Sequence, residues 1–103
     1  MKIIKTKFKD LKIIKHNNFA DKRGFLKFIY NKKIINWDNF IFDYLAYSKK
    51  NVFRGFHFQY KNQQAKLISV IKGKVLDCVV DLRKNSKTFG QSYKIIMSEN
   101  KNI

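Results

Sequence analysis

Proline is absent from this chain of 103 residues and glycine occurs only four times, so nothing in it reads as a linker between domains. A single domain is what this length supports. Cysteine occurs once, as Cys78, which excludes an internal disulfide; within its apolar run it reads as a small buried hydrophobe rather than a nucleophile. No apolar run is long enough to span a bilayer. The basic start, Met1-Lys2-Ile3-Ile4-Lys5, lacks the uninterrupted apolar stretch and small-residue cleavage site of a signal peptide. A cytoplasmic location, away from membranes, is the expectation by default.

Acidic residues are scarce as well, seven against 23 Lys and Arg, which leaves a net charge of +16. Such an excess admits a nucleic-acid-binding β-protein, because a basic surface releases counterions from a phosphate backbone. Arginine, however, accounts for only three of the 23, and the lysines are scattered among abundant Ile, Asn, Phe and Tyr. That mixture is the signature of AT-rich codon usage; a dedicated nucleic-acid module shows a clustered basic stripe or a recognisable fold motif. The expectation is no specific nucleic-acid partner, with a surface that still attracts polyanions at low salt.

What the chain does contain is β-forming residues: 45% are hydrophobic and 16% aromatic, with ten Phe and five Tyr. Apolar and basic residues in mixed alternation predict strands at Ile3 to Phe8 and Leu11 to Lys15, so that residues 1–15 read as a β-arm. Further strands are expected at Phe25 to Tyr30, Phe40 to Tyr47, Phe53 to Gln59, Lys66 to Ile71, Val75 to Leu82 and Tyr93 to Ser98. Ile34, Ile35 and Trp37 would anchor an intervening loop or short helix, and Gly73 marks a turn. Many short strands with turns between them predict an all-β sandwich or barrel.

The stretch richest in chemistry is Arg54-Gly55-Phe56-His57-Phe58-Gln59, followed by Gln64-Ala65-Lys66-Leu67. A histidine titrates near neutral pH and can take a proton from carbon, and an ammonium aimed at a carbonyl oxygen stabilises the carbanion that results. Enolisation beside a ketone is the chemistry that this pair suits. If the strand is extended, His57 shares a face with Gly55 and Gln59, and Gly55 would leave room for a ligand beside the imidazole. Lys66 would share its face with Ile68 and Val70, either at a solvated rim or in a pocket with a polar partner. Arg23 and Arg54, set in a lysine-dominated chain, suit bidentate contacts to phosphate or sugar oxygens; an ordinary ion pair is the alternative, preferred for Arg83. Alternation puts Arg54 opposite His57, so their convergence requires a twist or bulge at Gly55. Asp77 and Asp81 fall on one strand face with Val79 between them, and Asp77 reads either as a supporting carboxylate for the lysine or histidine or as a structural one.

These runs, together with Asp21-Lys22-Arg23-Gly24-Phe25, Lys72-Gly73-Lys74-Val75-Leu76-Asp77, Val80-Asp81-Leu82-Arg83, Ser86-Lys87-Thr88-Phe89-Gly90 and Ser98-Glu99-Asn100-Lys101, resemble the dTDP-4-dehydrorhamnose 3,5-epimerase family in order and spacing. The resemblance implies a cupin-type jelly roll over residues 1–103, incomplete at its C-terminal end because the family continues past the SENK block. It implies a homodimer formed by sheet extension, a dTDP-linked 4-keto-6-deoxy sugar as substrate, and a place in surface-polysaccharide biosynthesis. His57 would be the base, Lys66 the holder of the enolate oxygen, and Arg23, Arg54, Lys66 and Asp43 the substrate contacts, with Asp77 as a supporting carboxylate. No metal or organic cofactor is implied.

Several positions depart from the family pattern. Phe28 stands where a glutamate is usual, Phe42-Asp43-Tyr44 replaces a Gln-Asp-Asn triplet, and the loop between His57 and Lys66 is a residue shorter and lacks the usual prolines. The family's acid tyrosine and the aspartate that orients its histidine have no counterpart among these residues. The expectation is therefore a fragment or shortened member of the family, with a non-catalytic nucleotide-sugar-binding or dimerisation module as the alternative.

Overall fold

Paired Lys-Ile-Ile-Lys runs, a Phe-rich hairpin and a longer apolar hairpin organise the protein, whose computed structural model describes all 103 residues. β1 (Lys2–Lys5) and β2 (Lys12–Lys15) pair antiparallel with Ile3 opposite Ile14 and Ile4 opposite Ile13. β1 stops three residues short of the expected Phe8. Thr6 explains this: its hydroxyl donates to the carbonyls of Phe8 and Leu11 and accepts from the Phe8 amide, which ties the chain into a turn.

β3 (Asn18–Asp21), which the alternation did not reveal, pairs with β4 (Gly24–Lys27) across the two-residue loop Lys22-Arg23. Gly24, at φ 133°, closes that loop in a conformation that side chains disfavour. β4 ends before the expected Tyr30. Beyond it the Phe28 carbonyl lies 2.7 Å from Nδ1 of the buried His16 instead of joining a ladder.

β5 (Lys74–Val80) and β6 (Ser92–Ser98) form the longest pair, with Val75 opposite Met97 and Val79 opposite Tyr93. Gly73, at φ 83°, delivers the chain into β5, and its carbonyl accepts from the Glu99 amide at 3.1 Å. β5 stops at Val80, short of the expected Leu82, because the Asp81 carboxylate organises the return loop.

The core gathers at the meeting of these hairpins: Phe8, Ile14, Ile35 and Met97 are buried, and the Phe8 ring meets Tyr93 edge-on at 6.2 Å. Ile35 arrives from a turn in which the Asn31 carbonyl accepts from the amides of Ile34 and Ile35. That segment is a loop rather than a helix. Trp37 stays partly exposed, with the Lys12 ammonium 4.0 Å from its ring centroid.

No helix and no further ladder is present, so the structure is all-β, but 40–47, 53–59 and 66–71 do not pair as strands. Traces of an extended chain remain in two of them. Phe42 and Tyr44, two residues apart, stack at 6.3 Å, which is about the two-residue repeat of an extended chain. Leu67 and Ser69 turn inward while Lys66 and Ile68 are exposed. What these segments lack is partners within the chain.

Candidate active site

Arg23 enters the site region on the tight β3–β4 loop. Its guanidinium meets the Asp21 carboxylate through Nε and Nη2, the latter at 2.6 Å, and Asp21 also accepts from the Arg23 backbone amide at 2.8 Å. The side-chain contact, with the backbone one behind it, lowers the Asp21 pKa, and the same pair raises that of Arg23. Both groups are exposed, so the bridge is weak and exchangeable. Arg23 Nη1 remains without a partner.

Arg54 is held differently. Nε donates to the Ser48 hydroxyl at 2.8 Å and Nη2 to the Tyr47 carbonyl at 3.0 Å, which braces the fork and leaves Nη1 free. Next to it Gly55 has φ 145°, so the two-residue alternation between Arg54 and His57 is interrupted at the residue where convergence required it. A Cβ on Gly55 would meet only ordinary contacts, at 3.8 Å from Phe53 and 3.9 Å from the His57 amide. Backbone conformation, rather than room beside the imidazole, is therefore what glycine supplies here.

The side chains of His57, Lys66 and Asp43 are exposed and make no hydrogen bond, and that of Asp77, half-buried opposite Ile95 in the β5–β6 ladder, makes none either. No hydrogen bond or ion pair joins any two of Arg23, Asp43, Arg54, His57, Lys66 and Asp77. The candidate residues are thus presented on one chain without a wall that closes over them. Asp43 lies between the stacked Phe42 and Tyr44, and alternation turns it to the other face.

The best-built polar cluster lies elsewhere. Asp81, 5% exposed, accepts from Arg83 Nε at 2.8 Å and Nη2 at 2.9 Å, and from the hydroxyls of Ser86 and Thr88 at 2.6 Å each. Arg83 first, then Ser86 and Thr88, hold this carboxyl far below the usual carboxylate range. Arg83 also bridges to Asp10, which ties the β1–β2 turn to the loop after β5. Arg83 thus forms the surface ion pair expected of it, with Asp10, and in addition a bidentate clamp on a buried carboxylate that shapes the fold. Sequence reasoning missed this cluster and the buried His16; the run Asp81-Leu82-Arg83-Lys84-Asn85-Ser86-Lys87-Thr88 was the available signal for the first. No three His, Cys, Asp or Glu side chains gather closely enough to hold a metal.

A family profile described as dTDP-4-dehydrorhamnose 3,5-epimerase matches residues 5–103. The chain belongs to that family. Among its relatives, the dTDP-4-dehydrorhamnose 3,5-epimerase of Salmonella typhimurium is 43% identical over 98% of this chain and 59% of its own length. The enzyme of the same name from Methanothermobacter thermautotrophicus is 35% identical over 95% of this chain and 55% of its own length. A crystal structure of the Bacillus anthracis epimerase with TDP and pyrophosphate bound superposes with a TM-score of 0.91 at 38% identity, covering 98% of this chain and 61% of that one. The Legionella pneumophila epimerase in complex with dTDP-4-keto-L-rhamnose gives 0.89 at 37% identity, covering 98% and 56%. The expected fold thus stands: the hairpins and unpaired segments follow part of the epimerase family's cupin-type jelly roll. The chain spans between half and two-thirds of the length of these relatives.

Proposed function

We propose that this chain carries the proton-abstracting and substrate-anchoring part of an epimerase that inverts carbons 3 and 5 of a dTDP-linked 4-keto-6-deoxyhexose. The observation that carries this reading is the family match over residues 5–103, which spans every candidate side chain. The bound dTDP-4-keto-L-rhamnose of the Legionella relative supports the substrate class.

The His57 imidazole takes the acidic proton beside the 4-keto group; the C–H electron pair becomes the carbon–carbon π bond of the enolate, and the carbonyl π pair moves onto oxygen. The Lys66 ammonium holds the enolate that forms. Return of a proton to the opposite face inverts the carbon, and this step needs an acid other than these two side chains. The free Nη1 groups of Arg23 and Arg54 suit diphosphate oxygens. Asp43 is a further substrate contact and Asp77 a supporting carboxylate. The reaction runs without a metal or organic cofactor, in the cytoplasm, and the assembly is a homodimer formed by sheet extension. No helix is long and apolar enough to cross a membrane.

The test is deuterium wash-in at carbons 3 and 5 of the keto-sugar in heavy water. Replacing His57 by Asn should slow exchange about 100- to 10,000-fold, and Lys66→Met about 100- to 1,000-fold. Absence of wash-in where the Salmonella relative exchanges would overturn the catalytic reading. The second reading is a non-catalytic nucleotide-sugar-binding or dimerisation module. Saturable dTDP-sugar binding without exchange identifies it. Binding to DNA that ignores His57 and Arg54 would point instead to a basic nucleic-acid binder.

A further inference from the structure

The pattern Asp-x-Arg occurs twice in the chain, as Asp21-Lys22-Arg23 and as Asp81-Leu82-Arg83, and the two copies fold alike. In each, the aspartate is the last paired residue before a turn that a glycine of positive φ closes. Asp21 stands opposite Gly24, at φ 133°, and the Asp81 carbonyl accepts from the amide of Gly90, at φ 75°. The aspartate Oδ1 accepts from the backbone amide of its arginine, at 2.8 Å from Arg23 and 3.1 Å from Arg83, which makes an Asx turn. The same carboxylate then takes one edge of the guanidinium. Nη2 donates to Oδ2 at 2.6 Å in the first copy and 2.9 Å in the second, and Nε donates at 3.2 Å and 2.8 Å. One carboxylate thus fixes both the turn and the arginine rotamer, and leaves Nη1 for a further acceptor.

The second copy shows which acceptor suits that position. Arg83 Nη1 donates to the carboxylate of Asp10, an anionic oxygen brought in from the β1–β2 turn. At Arg23 no oxygen of the chain meets Nη1, the side chain is 90% exposed, and an open groove lined by Phe19, Asp21, Gly24, Phe25 and Leu26 runs beside it. A guanidinium can hold a carboxylate on one edge and a phosphoryl oxygen on another, because its donors are fixed in a planar fork. An exposed arginine that is already braced loses less rotamer freedom when a ligand arrives. Arg23, through its side chain first, lowers the Asp21 pKa, so the bracing group is ionised at neutral pH. Its charge opposes an incoming anion, but Lys22 on the same turn and the net charge of +16 offset that repulsion.

We propose that Asp21 is a positioning residue: it holds Arg23 so that Nη1 meets a phosphoryl oxygen of the diphosphate, in the place that Asp10 takes at Arg83. The identity of the anion rests on the function proposed above; the bracing of Arg23 rests on the turn geometry and on its second copy in the same chain.

The test is calorimetric titration of dTDP, pyrophosphate and uncharged thymidine into the full chain and into its Asp21→Asn, Arg23→Ala and doubly substituted variants. Asparagine keeps an acceptor for the Arg23 amide and loses the charge that holds the guanidinium, so the turn survives and the brace does not. Asp21→Asn should weaken dTDP and pyrophosphate binding about two- to fivefold, and Arg23→Ala about tenfold or more. In the Arg23→Ala background Asp21→Asn should change neither, since the brace then has nothing to hold. Thymidine should not distinguish the variants. Equal weakening by Asp21→Asn with and without Arg23, accompanied by a lower urea midpoint, would show a merely structural role and overturn the inference. Unchanged or tighter binding by Asp21→Asn, with Arg23→Ala weakened, would overturn it while leaving Arg23 as a substrate contact. If neither anion binds, or Arg23→Ala binds both as the unsubstituted chain does, the inference and the substrate-contact role of Arg23 fall together. Coupling with pyrophosphate alone keeps the brace and removes the nucleotide as its ligand. Coupling with both anions, but no deuterium wash-in into the keto-sugar, leaves the inference standing and removes the catalytic reading.

Discussion

Asp81 shows how much a single side chain can organise. Its carboxylate gathers Arg83, Ser86 and Thr88, and through Arg83 it reaches Asp10. Because the folded-state pKa lies below that of the unfolded chain, the stability it contributes is fully present above about pH 4 and is lost as the pH falls below that value. Urea titrations should show the midpoint falling between pH 4 and pH 2, and Asp81→Asn should lower the midpoint at pH 7 and flatten that slope. His57 and Lys66 were legible as residues because an imidazole and an ammonium in those motifs point to proton transfer beside a carbonyl. The burial of Asp81 was not, because it depends on the 81–90 loop folding back.

At the scale of elements, the three hairpins follow from local rules. Adjacent isoleucines flanked by lysines face one another across β1 and β2, Gly24 permits the two-residue turn, and Gly73 delivers the chain into β5. A Cβ at Gly73 would meet nothing within 4 Å, so the cost of Gly73→Ala is conformational. It should be about 1 kcal/mol, read as a shift in the urea midpoint. Ile35 is completely buried although it stands in an irregular turn. Ile35→Ala should cost about 2–5 kcal/mol by the same measurement. β3 escaped the sequence reading because Asn18-Phe19-Ala20-Asp21 is short and half polar, and its pairing is set by the turn that follows it. The strands expected at 40–47, 53–59 and 66–71 form no ladder, since an apolar pattern reports a face and not a neighbour.

For the whole molecule, charge matters most. A net charge of +16 on an open surface should draw anionic ligands at a rate that falls with salt, as the screening length shrinks from about 10 Å at 0.1 M to about 3 Å at 1 M. Stopped-flow association of dTDP with the chain at several salt concentrations would measure this, and a flat salt profile would count against electrostatic steering. Sequence alone determined the β class, the family, and the residue types able to move a proton and hold an enolate, because alternation, turn chemistry and motif spacing are written within short stretches of chain. Only the tertiary structure decided which strands are paired, that Arg83 clamps a buried carboxylate, and that His57 and Lys66 stand unenclosed. Those outcomes depend on hydrogen bonds and burial between residues far apart in the chain, which no local pattern encodes.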